Sequence, residues 1–296
     1  RWLPLVAAER DRPGAELMRT ANEVTRVWVE EIMGIPMSIH LIAPGEMTDE
    51  GADRAVRACF DELRDIDRVF STYRTDSDIS RIRRGELSIA DADSRVALVA
   101  DACERAEEET GGLVSARWRG RFDPTGYVKG WAVEAAGRRP LEPLLAAATA
   151  VGINAGGDLQ LFTAEGADWR WPVGIADPHD RGQLIAVVDV VNGAVATSGT
   201  AERGHHILDP RTGRPATGTA SATIVTDGLT QADVWATAAV VAGPANRSWI
   251  AAAGSRTGIV VDADRRVTRW LGTTMVDVQT TTVGSHPIGG DALVQG

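Results

Sequence analysis

The segment FDPTGYVKGWAVE, residues 122–134, sets an aspartate, a turn-forming Pro-Thr-Gly and a Lys-Gly pair against the start of a helical pattern. Backbone N–H groups at a helix start, aided by Lys129, favour a phosphate, whereas Asp123 beside them repels one unless a cation lies between. Such a junction suits a metal-bound phosphate; a solvated helix entry is the plainer alternative. It is not a Walker-type phosphate loop, which needs Gly-Lys followed by Ser or Thr, because the order here is Gly126-Tyr127-Val128-Lys129-Gly130.

Further polar groups stand at spacings that can do chemistry. In QADVWATAAV, Asp233 and Thr237 are at i and i+4 of a helical pattern and therefore share a face. Two hard oxygens placed so suit Mg²⁺, and a local Asp–Thr hydrogen bond is the alternative. The stretch ATSGTAERGHHILDPRTGRP, residues 196–215, gathers Thr197, Ser198, His205, His206, Asp209 and Arg211 in turn-rich sequence, where each taken singly can serve a turn hydrogen bond. In strand-like HHIL the two imidazoles point to opposite faces, so at most one of them faces a given site. GINAGGDLQLF, residues 152–162, reads as strand, glycine turn and strand, with Gly156 and Gly157 free to take positive φ and Asp158 beside them. It lacks the glycine spacing of a dinucleotide fingerprint.

The elements that must position these groups are legible in outline. Val56, Cys59, Phe60, Leu63, Ile66, Val69 and Phe70 recur at three- and four-residue spacings after a Thr48 cap, which predicts a long amphipathic helix. A second is predicted over 93–109, stopped by Gly111-Gly112, and IPMSIHLIAP reads as a strand entering a turn. GRRPLEPLLAAA is the best candidate for a helix break. The second half turns to β-branched runs, QLIAVVDVV, SATIVT and TGIVVDAD, with one clear helix at QADVWATAAVVAG. Helices mostly first and strands mostly later predict an α+β fold rather than a regular βαβ alternation.

Composition sets outer limits. With 296 residues, 44% hydrophobic and 24% charged, the chain can bury a full core. A net charge of −10 argues against a surface built for nucleic acid or anionic lipid, so an anionic ligand needs a local cation. Cys59 and Cys103 both fall in apolar helical patterns and read as core thiols, not as a disulfide or a zinc site. No run approaches the ~18 apolar residues of a membrane span, and RWLPLVAAERDRPG is too short and too charged for a signal peptide. The expected location is the cytoplasm or the cytoplasmic face of the membrane.

MGIPMSIHL, FSTYRTDSDISRI, FDPTGYVKGWAVE, NAGGDL, ATSGT, HHILDPRTGRP and ADVWATAAVVAG, in this order and over most of residues 33–243, resemble the FAD:protein FMN transferase (ApbE) family. The resemblance implies an Mg²⁺-dependent α+β protein that takes FAD as substrate, cleaves its pyrophosphate and attaches FMN by a phosphoester to a threonine or serine of an acceptor protein, releasing AMP. It implies flavin contacts from Met33, Tyr73, Asp123 and Lys129, with Asp123 also in the catalytic group. It further implies metal ligation by Asp233, Thr237 and the Gly126 carbonyl, and removal of the acceptor's hydroxyl proton by His206. The implied acceptors carry an Asp-x-x-Ser/Thr-small-Ala-Ser/Thr motif; DGLTQAD here comes near it but ends on Asp233, which has no hydroxyl to modify.

Two features depart from the family pattern. Ile35 stands where Thr is common, and residues 111–121 are compact where many members carry an insertion. The expected architecture is one ApbE-like domain over 1–296, with a mixed or antiparallel sheet core and flanking helices. Residues 1–30 are expected as an extension, and 271–296 as a tail that carries no recognisable motif and completes a sheet edge. The rival readings are an FAD pyrophosphatase, with water in place of the acceptor hydroxyl, and a flavin-binding or delivery protein without turnover. Asp123, Asp233, Thr237 and His206 together weigh against the last, since a binder has no need of the complete metal pair.

Overall fold

Strand alternation and helical periodicity meet in one long antiparallel sheet with helices on one face. The computed structural model describes residues 23–45, 47, 49–118, 120–199 and 207–276. Two hairpins open the first half of the sheet: β1 (Glu23–Ile32) with β2 (Ile35–Pro44), then β5 (Ala150–Ala155) with β6 (Asp158–Thr163). Beyond them lie β9 (Gly193–Gly199), β12 (Thr219–Thr226), β13 (Thr257–Asp262), β14 (Val267–Leu271) and β15 (Thr274–Val276). The order is β1-β2-β5-β6-β9-β12-β13-β14-β15, each strand antiparallel to its neighbour. Short hairpins β3–β4 (Arg117–Trp118, Arg121–Phe122) and β10–β11 (Leu208–Asp209, Arg214–Pro215) lie outside this sheet.

Alternate residues of the central strands face two different cores, as the period of two requires. Met37, Ile39, Leu41, Val151, Ile153, Ala194, Ala196, Ala222 and Ile224 pack against α1 (Asp49–Phe70), α4 (Thr125–Leu141) and α5 (Leu229–Ala242). Ile42, Leu159, Leu161, Val195 and Val225 face the other way, covered by Trp171, Val173 and Val190 of the hairpin β7–β8 (Trp171–Asp177, Asp180–Val190). The alanines of β9 and β12 let α5 approach closely, and α5 is buried nearly all round.

The remaining helices are α2 (Asp78–Arg83), α3 (Ser94–Glu109) and α6 (Trp249–Ala253). Asp93 caps α3 by accepting the Arg95 N–H, and Gly111 and Gly112 take φ of 62° and 78° just past its end. The expected break falls where GRRPLEP placed it: α4 ends at Leu141, one residue past Pro140, and a 3₁₀ turn follows. Thr48 lies outside the described residues. Cys59 and Cys103 are free and buried, and burial pushes both thiols up to about 12. β1 begins within the stretch expected as an extension, and β15 is the edge strand at the other end among the described residues. Among the described residues no helix is long and apolar enough to cross a membrane.

His40 on β2 gives the fold an acid-sensitive point. Its Nε2 meets Ser38 Oγ at 2.9 Å, its Nδ1 is buried without a partner among the described residues, and burial lowers its pKa from 6.5. As pH falls below 6.5 the unfolded chain takes up a proton that the fold refuses, so stability is lost with falling pH. Urea titrations across that range are expected to show this loss in the native chain and a flatter profile in His40→Leu. Identical profiles would show that His40 is not the group concerned.

Candidate active site

The site is built where α4 and α5 cross above β6 and β9. α5 is held from two sides: Glu134 of α4 accepts the Thr230 N–H and hydroxyl at 2.9 and 2.7 Å, and Gln160 of β6 accepts the Leu229 N–H at 2.9 Å. At the crossing Gly130 leaves no room for a side chain. A Cβ there would sit 3.0 Å from both Asp233 Cβ and the Leu229 carbonyl, and 3.2 Å from Asp233 Oδ2.

Gly130→Ala is therefore expected to push the helices apart. The helix propensity gained, ~1 kcal/mol, is set against an overpacking cost of ~1–3 kcal/mol, and the contact with backbone makes the cost prevail. The urea midpoint is expected to fall with an unchanged slope; an unchanged midpoint would contradict the close crossing.

Asp233 is the single charged residue of α5 and is 5% exposed. Its Oδ1 lies 3.4 Å from Lys129 Nζ, and its Oδ2 is buried without a hydrogen-bond partner among the described residues. Lys129 also pairs with Asp158, the first residue of β6, whose other oxygen accepts the Thr197 N–H at 2.9 Å. Two buried carboxylates thus share one ammonium, leaving one net negative charge. Burial raises the Asp233 pKa to about 6, with Lys129 opposing the rise and Asp158 adding to it. For Lys129, burial works downward, but the two carboxylates prevail and hold the ammonium charged.

Thr237, one turn beyond Asp233, meets Ser198 Oγ at 3.1 Å, so its hydroxyl is engaged with β9. Gly126 lies in the first turn of α4, where α-helical geometry turns its carbonyl to the N–H of Gly130, the residue that abuts Asp233. Asp233 and Thr237 offer the kinds of oxygen a hard divalent cation takes: an unpartnered buried carboxylate oxygen and a hydroxyl on the same helix face, beside an uncompensated charge. Among the described residues no three His, Cys, Asp or Glu side chains group as a metal site, so a cation here would draw on hydroxyl and carbonyl oxygens as well.

The other expected positions surround this cluster unevenly. Asp123 precedes α4, paired with Arg83 at 2.5 Å and accepting from the N–H and hydroxyl of Thr125. Met33 occupies the β1–β2 turn with φ 55° and packs on the helix-side core. That turn adjoins the β5–β6 turn, since Gly156 donates to the Pro36 carbonyl at 3.2 Å, and the chain then enters Asp158. Tyr73, after α1, is 88% exposed. His205 and His206 lie outside the described residues, between Gly199 at the end of β9 and Ile207. Asp209 instead holds Arg211, through Nε and Nη2 at 2.9 Å each.

Sequence reasoning left Asp158 out of the site. Its signal was available: Asp158 and Gln160 are polar residues at alternate positions of DLQLFT, a strand buried at every position.

The profile of the ApbE family matches residues 33–121 and 114–260. An FAD:protein FMN transferase of Rhodobacter capsulatus is 38% identical over 108 residues, 34% of this chain and 20% of that protein. One from Treponema pallidum (strain Nichols) is 43% identical over 97 residues, 29% of this chain and 26% of that protein. The aligned segments thus span about a quarter or less of those two relatives. Two solved structures share the fold: an ApbE protein from Thermotoga maritima (TM-score 0.66, 22% identity, 83% of this chain and 97% of that one) and the flavin transferase ApbE from Vibrio cholerae (TM-score 0.64, 18% identity, 84% and 97%).

Proposed function

Because the chain belongs to the ApbE family, we propose that it is an Mg²⁺-dependent FAD:protein FMN transferase, which moves FMN from FAD to a threonine or serine of an acceptor protein and releases AMP. The observation that carries this reading is Asp233, a carboxylate kept in a buried helix with one oxygen unpartnered. A carboxylate buried with one oxygen unpartnered marks a candidate ligand site. The names of the Rhodobacter and Treponema relatives support the same activity.

In this reading Asp233, Thr237 and the Gly126 carbonyl hold Mg²⁺, which supplies charge neutralisation on the FAD phosphates when bound. The positive end of the α4 dipole faces the phosphates, and Lys129 balances the carboxylates behind them. Asp123, fixed by Arg83 and Thr125, orients the flavin with Met33 and Tyr73. His206 takes the proton of the acceptor hydroxyl, whose oxygen bonds to the FMN phosphorus as the bond to AMP breaks. The acceptor carries the Asp-x-x-Ser/Thr-small-Ala-Ser/Thr motif. The protein's own near match ends on Asp233, which has no hydroxyl to modify, so it is not an acceptor.

Incubation with FAD, Mg²⁺ and a protein bearing the motif tests the proposal. An FMN adduct on the acceptor by intact mass is the expected result. Free FMN with AMP and no adduct would indicate a pyrophosphatase, and intact FAD a binding protein.

A further inference from the structure

We propose that Asp158 is a positioning residue that holds the Lys129 ammonium off Asp233, so that one oxygen of Asp233 stays open to a divalent cation. The proposal rests on the Mg²⁺ reading above and assigns a role to a residue which that reading does not use.

Lys129 faces two carboxylates and is not shared equally. It pairs directly with Asp158 Oδ2 and stands 3.4 Å from Asp233 Oδ1, at the long end of ion-pair range, while Asp233 Oδ2 has no partner among the described residues. A lysine can move between such positions, because its charge sits on a flexible stem with three rotatable donors. Asp158 is far less free. It is 3% exposed, begins a strand buried throughout, and its Oδ1 accepts the backbone N–H of Thr197 on β9.

Two consequences follow if the charge of Asp158 is removed. Among the described residues the ammonium then has Asp233 as its one carboxylate partner, and the attraction to that buried carboxylate draws it onto the group a cation needs. The net charge of the cluster also rises from −1 to zero, so a divalent cation no longer meets an uncompensated negative charge. Removing the ammonium as well reverses both effects. If Asp158 served only to tie β9 to β6, Asp158→Asn would be nearly silent, since its amide oxygen still accepts the Thr197 N–H.

Mn²⁺ is a suitable probe, with its free concentration read by electron paramagnetic resonance in titrations of the full chain, with and without FAD. Asp158→Asn is expected to weaken Mn²⁺ binding by ~10–100-fold, the usual effect of losing a group that orients a metal ligand. Asp158→Asn combined with Lys129→Met is expected to recover most of that loss, and Lys129→Met alone to bind at least as tightly as the native chain. Native-like binding by Asp158→Asn, or a correctly folded double variant as weak as Asp158→Asn, would overturn the proposal. Should Asp158→Asn fail to fold, Lys129→Met decides, because weakened binding there contradicts an ammonium that competes for Asp233. If the native chain binds no Mn²⁺ under either condition, the Mg²⁺ reading itself fails and this inference falls with it.

Discussion

Asp233→Ala is expected to abolish Mg²⁺-dependent release of AMP from FAD while leaving the protein folded, and FAD affinity is expected to fall less than turnover. The two halves of this expectation have one cause. Asp233 is desolvated, with its pKa raised to about 6 and one oxygen unpartnered, so its ionised form is a burden on the fold at neutral pH. The sign follows from proton counts. Between the ordinary carboxylate value of 3.8 and about 6, the folded state holds a proton that the unfolded chain has released, so this group's contribution to stability falls as pH rises through that range. Alanine removes the burden and leaves Lys129 paired with Asp158. Thermal denaturation at neutral pH is therefore expected to show a variant at least as stable as the native chain. Normal Mg²⁺-dependent AMP release by Asp233→Ala would rule out the metal assignment.

The second large effect is expected at His206. If it takes the acceptor's proton, His206→Ala lowers single-turnover transfer by roughly 10²–10⁴-fold, the usual contribution of a general base, with much of the FAD affinity kept. His205→Ala is expected to cost far less, since neighbouring side chains of a strand-like sequence diverge and the family pattern points to the histidine before Ile-Leu-Asp-Pro. Equal and small losses would show that neither imidazole takes the proton.

What the sequence revealed of the fold, and what it hid, divides along the range of the interactions. α1 was legible because Val56, Cys59, Leu63, Ile66 and Phe70 mark one face through local spacing alone, and all are buried. The Gly156-Gly157 turn was legible because only a short list of residues takes φ of 65° and 104°. β1 was not, because EVTRVWVEEI mixes charges into what is, among the described residues, an edge strand, and its pairing with β2 gives it order. The same holds for the site. Asp233 and Thr237 disclose themselves by an i, i+4 spacing, whereas Asp158 looks like a hairpin residue until the fold brings Lys129 to it from 29 residues away. Gly130 is similar: its reason for being glycine is Leu229 and Asp233 on another helix.

The most direct measurement is a count of products with FAD, Mg²⁺ and an acceptor protein that carries the motif. The account predicts one AMP released for each FMN found covalently on the acceptor's threonine or serine, with both falling to background when Mg²⁺ is chelated. AMP released in excess without an adduct, or an adduct formed equally well in the presence of chelator, would contradict it.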